Sequence, residues 1–534
     1  WLLKFKDMAV FTFIAFTLLV GIISYYATRK TNENTSDGYF LGGRSLTAGV
    51  IAGSLLLTNL STEQIVGLNG QAYSEGLVVM AWETLAAIAM VITATFLLPR
   101  YLKGGLTTIP TFLERRYNKT TKALTSGLFL TGYVVVLLPI VLYSGALAIS
   151  TMFNIPEVLG VSSWTSIWIC VWGIGIIGSI YAIFGGLKAV AVSDTVNGIG
   201  LLIGGLLIPF FGLLFIGDGS VMDGISTLQA NVPEKFNVIG DSESSIPFAT
   251  IFTGMMLVQL FYWGTNQAII QRALAAKNLK EGQKGLILAA FIKILGPLIV
   301  VLPGIIAFYV FKGELSNPDE AYPALVRKVL PSYLIGFFAA VLFGAILSSF
   351  NSALNSSVTL FGVDIYKEFI NKEADEKTIV KYGKLFGVFL ALLAMFIAPF
   401  IAKAPNGLFG YLQEVNGCYS IPILTIIVVG YLTKKVPAVA ANIAIIMGAV
   451  LYFISQFILK SQFGEENYPH FLHVMAILFV FNVILMLVIG KLYPREEAYE
   501  QVYTKQVDIT PWKYVKVTGI IVCVIVIGTY MYFQ

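Results

Sequence analysis

Seven consecutive residues in the first part of the chain, 58–64, place six polar side chains inside an apolar segment. This polar run lies in the middle of residues 47–70, which also contain Gly53, Gly67 and Gly70. A regular helix facing lipid would leave these groups without partners, whereas an unwound helix lining a cavity exposes carbonyls that bind cations. The run therefore predicts a helix break at a binding site, with polar packing between helices as the alternative.

Two later segments carry similar interruptions. Residues 259–267 combine adjacent aromatic side chains with Gly264 and several amides, which is typical of a broken helix beside an aromatic platform. An aromatic belt at the membrane surface is the alternative. Residues 348–352 contain three serines, whose hydroxyl oxygens suit a hard monovalent cation, although serines also serve as packing contacts between helices.

Single charged residues within apolar segments are costly, at roughly 2.5–3.5 kcal/mol each at the centre of a helix, so each indicates a function or a partner. Glu83, Asp194 and Lys293 are of this kind. Glu83 and Lys293 could neutralise each other or bind hydroxyl groups, and Asp194 could lie at the membrane interface. A further polar run, 413–417, fits either a lined kink or polar packing.

Long apolar helices must carry these groups. Hydrophobic residues form 57% of the 534 residues and charged residues 12%, about half the charged fraction of a soluble domain. About 20 apolar residues cross a bilayer, and the chain contains fourteen segments of suitable length. They are residues 8–27, 47–70, 76–98, 125–152, 163–184, 188–216, 248–272, 284–311, 335–366, 378–402, 406–433, 436–459, 467–490 and 514–533.

The charges of the connecting loops orient these spans. Of the 35 lysines and arginines, 26 fall in one set of alternating loops and eight in the other, while Lys293 lies inside a span. The positive-inside rule places the set with 26 in the cytoplasm. Both termini are then predicted to lie outside. The chain begins at Trp1, so we expect its natural start further upstream, and no cleavable signal peptide is predicted.

Other classes of protein find little support. The three cysteines are isolated and the two histidines lie outside the polar runs, which argues against a disulfide framework, a zinc site or a histidine-based enzyme. A channel would need a filter-like loop, and a receptor would need an output domain. No basic patch typical of nucleic-acid binding is present.

The positions of the interruptions suggest two related halves. Counting from span 47–70, the breaks fall in the first and sixth spans and the serine cluster in the eighth. Interrupted helices at corresponding positions are typical of inverted-repeat transporters. The predicted parts are a leading helix and loop (1–46), a first repeat (47–216), an outer loop (217–247), a second repeat (248–433) and three final helices (434–534).

Several motifs resemble those of the sodium:solute symporter family, which includes the sodium/glucose cotransporters. The resemblance covers essentially the whole chain, and the bacterial sodium/galactose branch is the nearest characterised group. The motifs are residues 37–46, 57–64, 262–267, 270–272 and 348–349 with 354–356.

The resemblance implies specific roles for residues. Asp194 matches an acidic residue thought to guide sodium inward. The implied sodium ligands are the carbonyls of Leu57, Leu60 and Ala345 and the hydroxyls of Ser348 and Ser349. The implied sugar ligands are Asn59, Gln64, Glu83, Gln259, Lys293 and Gln413. The implied inner gate is Tyr262 with Trp263, and the outer gate is Leu68, Trp82 and Phe409.

The resemblance also implies an all-α fold of two inverted five-helix repeats, with one helix before them and three after. It implies sodium-coupled import of a monosaccharide such as galactose or glucose, or a related polyol, by alternating access across a bacterial inner membrane. The expected partners are Na⁺, the sugar and membrane lipid, without an organic cofactor or nucleic acid, and no enzymatic activity is expected.

Some residues depart from the galactose pattern. Galactose-type members carry Ser where this chain has Ala86, and Asn where it has Gln259, so galactose itself is not specified. At the positions of a second sodium site this chain has Asn351 and Ser352, which does not favour a second ion. The alternative substrate is a carboxylate or amino acid with Lys293 as counter-ion, and proton coupling is a further alternative.

Overall fold

The computed structural model describes residues 2–29, 35–315, 318–403, 408–464 and 467–534. Within these ranges the regular elements are helices, and the only strand-like pairing is a single bridge between Leu46 and Ala276. The all-α fold class predicted from the sequence is therefore confirmed.

The first part of the chain, up to residue 231, forms twelve α-helices. They are α1 (Leu2–Thr28), α2 (Ser36–Phe40), α3 (Ala48–Asn59), α4 (Thr62–Glu75), α5 (Ala81–Ile92), α6 (Leu98–Lys103), α7 (Ile109–Arg116), α8 (Lys119–Gly132), α9 (Leu138–Phe153), α10 (Ile155–Leu159), α11 (Ser163–Ile216) and α12 (Val221–Asn231).

Thirteen more α-helices follow. They are α13 (Gly254–Gly264), α14 (Gln267–Leu274), α15 (Leu279–Ile294), α16 (Gly296–Val300), α17 (Leu302–Val310), α18 (Ala321–Val329), α19 (Ser332–Thr359), α20 (Glu376–Ile397), α21 (Leu408–Leu432), α22 (Ala438–Phe453), α23 (Lys460–Phe463), α24 (Phe471–Leu492) and α25 (Val515–Tyr532). Helical segments of π type extend several of them, at Thr93–Leu97, Tyr133–Leu137, Leu360–Ile370 and Ile454–Leu459.

Many of these helices are membrane spans. Among the described residues, ten helical stretches are long and apolar enough to cross a bilayer. An eleventh consists of α15 and the segment Gly296–Val310, which contains α16 and α17 and is bent by 47° relative to α15. Two shorter apolar helices are Ile14–Ala27 and Ala48–Asn59. The chain is thus a multi-pass membrane protein, and the count of fourteen spans stays a prediction.

One expected loop is helical instead. The predicted spans 163–184 and 188–216 lie in the single 54-residue helix α11, which contains two apolar stretches, Ser163–Ile180 and Val190–Ile216. At 1.5 Å per residue a straight helix of this length would extend about 80 Å, well beyond the core thickness of about 30 Å that one crossing requires. Its only proline is Pro209, so no residue between the two stretches removes a helical hydrogen bond.

Both predicted helix breaks are confirmed. Between α3 and α4 the chain leaves helical geometry at Leu60 (φ −75°, ψ 63°) and Ser61 (φ −85°, ψ 174°). Between α13 and α14 it does so at Thr265 (φ −132°, ψ −14°) and Asn266 (φ −67°, ψ 120°). Each break spans two residues, so most of the polar run 58–64 is helical and projects its side chains from the ends of two helices.

Close helix crossings bring these breaks to the centre of the bundle. Helix α3 packs between α11 and α15, and α19 packs against α1 and α11. A Cβ atom at Gly53 would lie 2.9 Å from the Cα atom of Thr195, so glycine allows α3 and α11 to approach each other. That crossing places the residues after Gly53 beside the polar face of α11.

Candidate functional site

A buried cluster of three polar side chains lies beside the first break. Lys293 Nζ and Glu83 Oε2 are 2.5 Å apart, and Gln64 Nε2 donates to Glu83 Oε1 over 2.7 Å. Glu83 and Lys293 are 0% and 1% exposed. A Cβ atom at Gly296 would lie 2.1 Å from Glu83 Oε2, so this glycine leaves room for the carboxylate. The cluster carries equal and opposite charges and both donors and acceptors.

A cavity of about 60 Å³ lies between the first break, α13 and α21. Seven of the residues expected to bind or gate the solute line it, which are Asn59, Gln64, Trp82, Gln259, Tyr262, Trp263 and Gln413. Ligand pockets usually enclose about 300–1,000 Å³. The volume of the cavity is therefore much smaller than a monosaccharide needs.

Aromatic side chains form one wall of the cavity. The rings of Tyr262 and Trp263 lie 5.1 Å apart at an interplanar angle of 75°. Gln259 ties this wall to α5, since its Nε2 donates to the Trp82 carbonyl (2.9 Å) and its Oε1 accepts from Trp263 Nε1 (3.2 Å). A change at Gln259 therefore alters both aromatic residues.

Other expected residues lie outside the cavity lining. Glu83 and Lys293 sit behind Gln64, and Leu68 is fully buried on α4. Ala86 is 1% exposed within the apolar core. Phe409 lies in the first turn of α21, but its side chain is outside the part of the chain that the structure describes.

The cavity also has lining residues to which the sequence assigned no role. They are Glu63, Leu137, Val258, Leu412 and Asn416. Glu63 Oε2 and Asn59 Oδ1 are buried and make no hydrogen bond of good geometry with the described residues. The signal for Glu63 and Asn416 was their membership of the polar runs 58–64 and 413–417. The apolar lining residues carry no such signal.

Oxygen atoms gather where α3 ends against α19. The amide of Leu60 bonds to Leu56 O and that of Ser61 to Asn59 O, and no described backbone amide donates to the carbonyls of Leu57 and Leu60. On α19, Ser349 Oγ donates to Thr58 O over 2.9 Å. These atoms are hard oxygen donors of the type that alkali cations prefer.

Neighbouring groups on α19 and α11 complete this oxygen-rich region. Ala345 is fully buried one turn before Ser348 and Ser349. Ser348 Oγ and Asp194 Oδ1 are buried and make no hydrogen bond of good geometry with any described group. Asp194 Oδ2 accepts from Ser54 Oγ over 2.8 Å. The Ser348 hydroxyl lies beside the Asp194 carboxylate, so both groups belong to this oxygen-rich region.

A multi-helix bundle with two broken helices and buried polar groups at the breaks defines a membrane transporter rather than an enzyme. The chain belongs to the sodium:solute symporter family, whose family model matches residues 39–448.

Individual relatives agree with this assignment. The chain is 47% identical to the uncharacterized symporter YidK of Escherichia coli (strain K12) over 525 residues, 98% of this chain and 91% of that one. It is 34% identical to the sodium/glucose cotransporter of Vibrio parahaemolyticus over 468 residues, 83% of this chain and 84% of that one. The protein is a sodium-coupled symporter.

A solved structure supports the fold. A Na⁺-coupled sialic acid symporter, in a substrate-bound outward-open state, superposes with a TM-score of 0.75 at 19% identity, covering 92% of this chain and 99% of that one. At this identity the likeness shows the fold alone, and it agrees with the symporter fold expected from the two breaks.

Proposed function

We propose that this symporter imports a neutral, polyhydroxylated solute, namely a monosaccharide such as galactose or glucose or a related polyol, together with Na⁺. The observation that carries the proposal is the buried cluster of Gln64, Glu83 and Lys293, whose charges cancel. Each sugar hydroxyl both donates and accepts, so it can exchange hydrogen bonds with this cluster without adding charge.

The same pair argues against an anionic solute. Lys293 already contacts the Glu83 carboxylate at 2.5 Å. A second carboxylate bound at Lys293 would place two negative groups around one ammonium in a region shielded from water, which is unfavourable. The carboxylate or amino-acid alternative therefore has less support than the sugar. Two relatives are a sodium/glucose and a sodium/myo-inositol cotransporter, and both of these solutes are likewise neutral and polyhydroxylated.

The small volume of the cavity indicates that side chains must move for the solute to enter and leave. Since about 60 Å³ is too small for a sugar, the side chains of Trp82 and Tyr262 must move apart on opposite sides in turn, which is alternating access. When the cavity has opened to admit the sugar, Tyr262 would cover the apolar face of the sugar. Leu68 and Phe409 would complete the outer gate with Trp82, and Trp263 would support the inner gate.

Sodium would bind at the oxygen-rich region described above. The proposed ligands are the carbonyls of Leu57, Leu60 and Ala345 and the hydroxyls of Ser348 and Ser349. Coupling would arise at the first break, because backbone atoms of this segment contact sodium while the side chains of Asn59 and Gln64 face the cavity. An ion bound there favours the conformation in which these oxygens converge.

The driving force would follow from the orientation of the chain. With the lysine- and arginine-rich loops inside, sodium moves down its gradient into the cytoplasm of a bacterium. The membrane potential adds about 2.3 kcal/mol per charge per 100 mV. Both termini would then lie on the outer side.

The experiment is uptake by the purified protein in proteoliposomes under an inward sodium gradient, with choline replacing sodium as control. A panel of labelled sugars, polyols and organic acids identifies the solute class. Gln64→Ala is expected to weaken uptake of the accepted solute at least about tenfold, because a buried partner of the hydroxyls is lost. Gln283→Ala is the matched control, since Gln283 is a buried amide that bonds Ala94 O and the Trp512 amide instead.

The sodium ligands are tested separately. The double change Ser348→Ala with Ser349→Ala is expected to abolish sodium-dependent uptake. Ser357→Ala on the same helix is the control, because its hydroxyl bonds only to Ala353 O one turn away. Sodium-dependent uptake that survives in the double variant would contradict the sodium site. Uptake of an organic anion in preference to every sugar and polyol would contradict the solute class.

A further inference from the structure

Arg272 is the last residue of the motif 270–272, which contains none of the proposed solute or sodium ligands. It follows the second break, on α14, and is 0% exposed. Its guanidinium donates from Nε to Ser54 Oγ over 3.2 Å and from Nη2 to Ser352 Oγ, and Nη2 lies 3.9 Å from Asp194 Oδ2. The guanidinium is thus held between α3, α11 and α19.

These contacts connect Arg272 with the oxygen-rich region. Ser352 Oγ is 3.0 Å from Thr58 Oγ1, and the Thr58 carbonyl accepts from Ser349 Oγ. Ser352 lies one turn beyond Ser348 and Ser349 on α19. The fixed positive charge and the proposed sodium ligands therefore share two helices and one hydrogen-bonded path.

The contact between Arg272 and Asp194 is indirect. The two charged groups do not make a close hydrogen bond, because Ser54 Oγ stands between them, donating to Asp194 and accepting from Arg272. Asp194 Oδ1 is buried and makes no hydrogen bond of good geometry in the described chain. The carboxylate therefore faces Arg272 across Ser54 on one side and the Ser348 hydroxyl, a proposed sodium ligand, on the other.

The charge of Arg272 affects how sodium can bind beside Asp194. Asp194 and Arg272 are both buried and carry opposite charges. A sodium ion that binds at Asp194 therefore competes with the guanidinium for one carboxylate, and the two cations repel each other more strongly than they would in water. Sodium therefore binds well only when the guanidinium withdraws from Asp194.

We propose that Arg272 is a tethered cation that balances Asp194 when sodium is absent and gives up this carboxylate when sodium binds. Arg272 is then a positioning residue that sets sodium affinity and promotes sodium release. The inference rests on the proposed sodium site. Because Arg272 belongs to the half-helix after the break at Thr265, its exchange of partners would also move the segment that follows Tyr262.

The test is a sodium titration of purified protein by thermal shift, with the half-saturating sodium concentration as readout. Arg272→Gln is expected to lower this concentration about tenfold or more, because repulsion is removed and Asp194 is left uncompensated. Asp194→Asn is expected to raise it by a similar factor, and the double variant lies between them. A structural role alone would not move the two single variants in opposite directions.

Arg116→Gln is the matched control. Arg116 is also 0% exposed, but its guanidinium donates to the carbonyls of Gly430, Thr433 and Val436 and not to an acidic side chain. Its loss is expected to lower the melting temperature and to leave the half-saturating sodium concentration within about twofold. If Arg272→Gln does not fold, Arg272→Lys takes its place. It keeps the charge and is expected to keep the sodium affinity within about threefold.

Outcomes separate this inference from the proposed function. An unchanged or weakened sodium affinity in Arg272→Gln overturns the tethered-cation role, as does a large loss of affinity in Arg272→Lys. A sodium response that persists in the Ser348→Ala, Ser349→Ala variant overturns the sodium site itself. If that variant loses the response while Arg272→Gln binds sodium normally, the site stands and only the inference about Arg272 fails.

Discussion

Two buried ion pairs differ in geometry, one beside the proposed solute site and the other beside the proposed sodium site. Glu83 and Lys293, on the solute side, are in direct contact at 2.5 Å. Asp194 and Arg272, on the sodium side, are 3.9 Å apart with Ser54 bridging them. All four side chains are at most 1% exposed, so burial does not distinguish the two pairs. The distance between the charged groups, and the serine that bridges one pair, distinguish them.

The difference concerns which pair can change partners. A direct pair repays its desolvation only while both members stay together, so it behaves as one fixed neutral unit. A bridged pair keeps less attraction, and each member has another hydrogen-bond partner that remains when the other moves. The direct pair fits a site for a neutral solute, and the bridged pair fits a site that a cation enters and leaves.

The largest effect is expected from breaking the direct pair. Lys293→Met should lower the free energy of unfolding by about 3–5 kcal/mol, because Glu83 is left charged and buried. Thermal melting in detergent measures the loss. The double variant Glu83→Gln, Lys293→Met should recover much of it while losing solute uptake. Equal melting of the single and double variants would show that the pair is not a unit.

A smaller effect is expected from the bridged pair. Asp194→Asn should cost about 1–3 kcal/mol, because Arg272 retains Ser54, Ser352 and the Ala268 carbonyl as acceptors. The same melting assay measures it. A loss as large as that of Lys293→Met would remove the distinction between the pairs.

A change of solute preference is expected at the edge of the direct pair. Ala86→Ser adds a hydroxyl one turn from Glu83, as in galactose-type relatives, and should shift the uptake ratio of galactose to glucose by up to about tenfold. Competition between the two labelled sugars measures the ratio. Thr84→Ser, whose hydroxyl should keep the bond to Met80 O, is the control and should leave the ratio unchanged. An unchanged ratio in Ala86→Ser would mean that position 86 does not contact the solute.

The smallest effect is expected from an ion pair at the surface. Lys119 and Glu368 are 2.9 Å apart with side chains 62% and 22% exposed. Lys119→Gln should leave both the melting temperature and uptake nearly unchanged, because water screens the pair. Comparing its melting temperature with that of Lys293→Met sets the scale for both buried pairs.

Local features of the site could be predicted from the sequence. The polar runs 58–64 and 259–267 predicted breaks, and the structure has them at Leu60–Ser61 and Thr265–Asn266. Lipid offers no partners to backbone or side-chain polar groups, so polar residues in an apolar span indicate a break or a cavity wherever they occur. The loop expected near residue 188 was wrong, since the helix continues there although Gly185 and Gly186 precede it. Glycine weakens a helix, but unlike proline it keeps the backbone N–H that the helix needs.

Pairings across the bundle could not be predicted in the same way. The sequence left open whether Glu83 and Lys293 pair with each other, since they are 210 residues apart, and it gave no indication of the Ser54 contact with Asp194, 140 residues away. Nor did it indicate that Arg272 donates to the same Ser54 hydroxyl. These contacts depend on crossings such as that of Gly53 with Thr195, whose geometry no local pattern records.

The sequence alone therefore determined the membrane-spanning helical class, the resemblance to sodium-coupled symporters and the position of the first break, because solvation in lipid acts residue by residue. Only the tertiary structure decided which buried charges meet directly and which meet through a serine. Those distances result from how several helices pack together, and they distinguish the proposed solute site from the proposed sodium site.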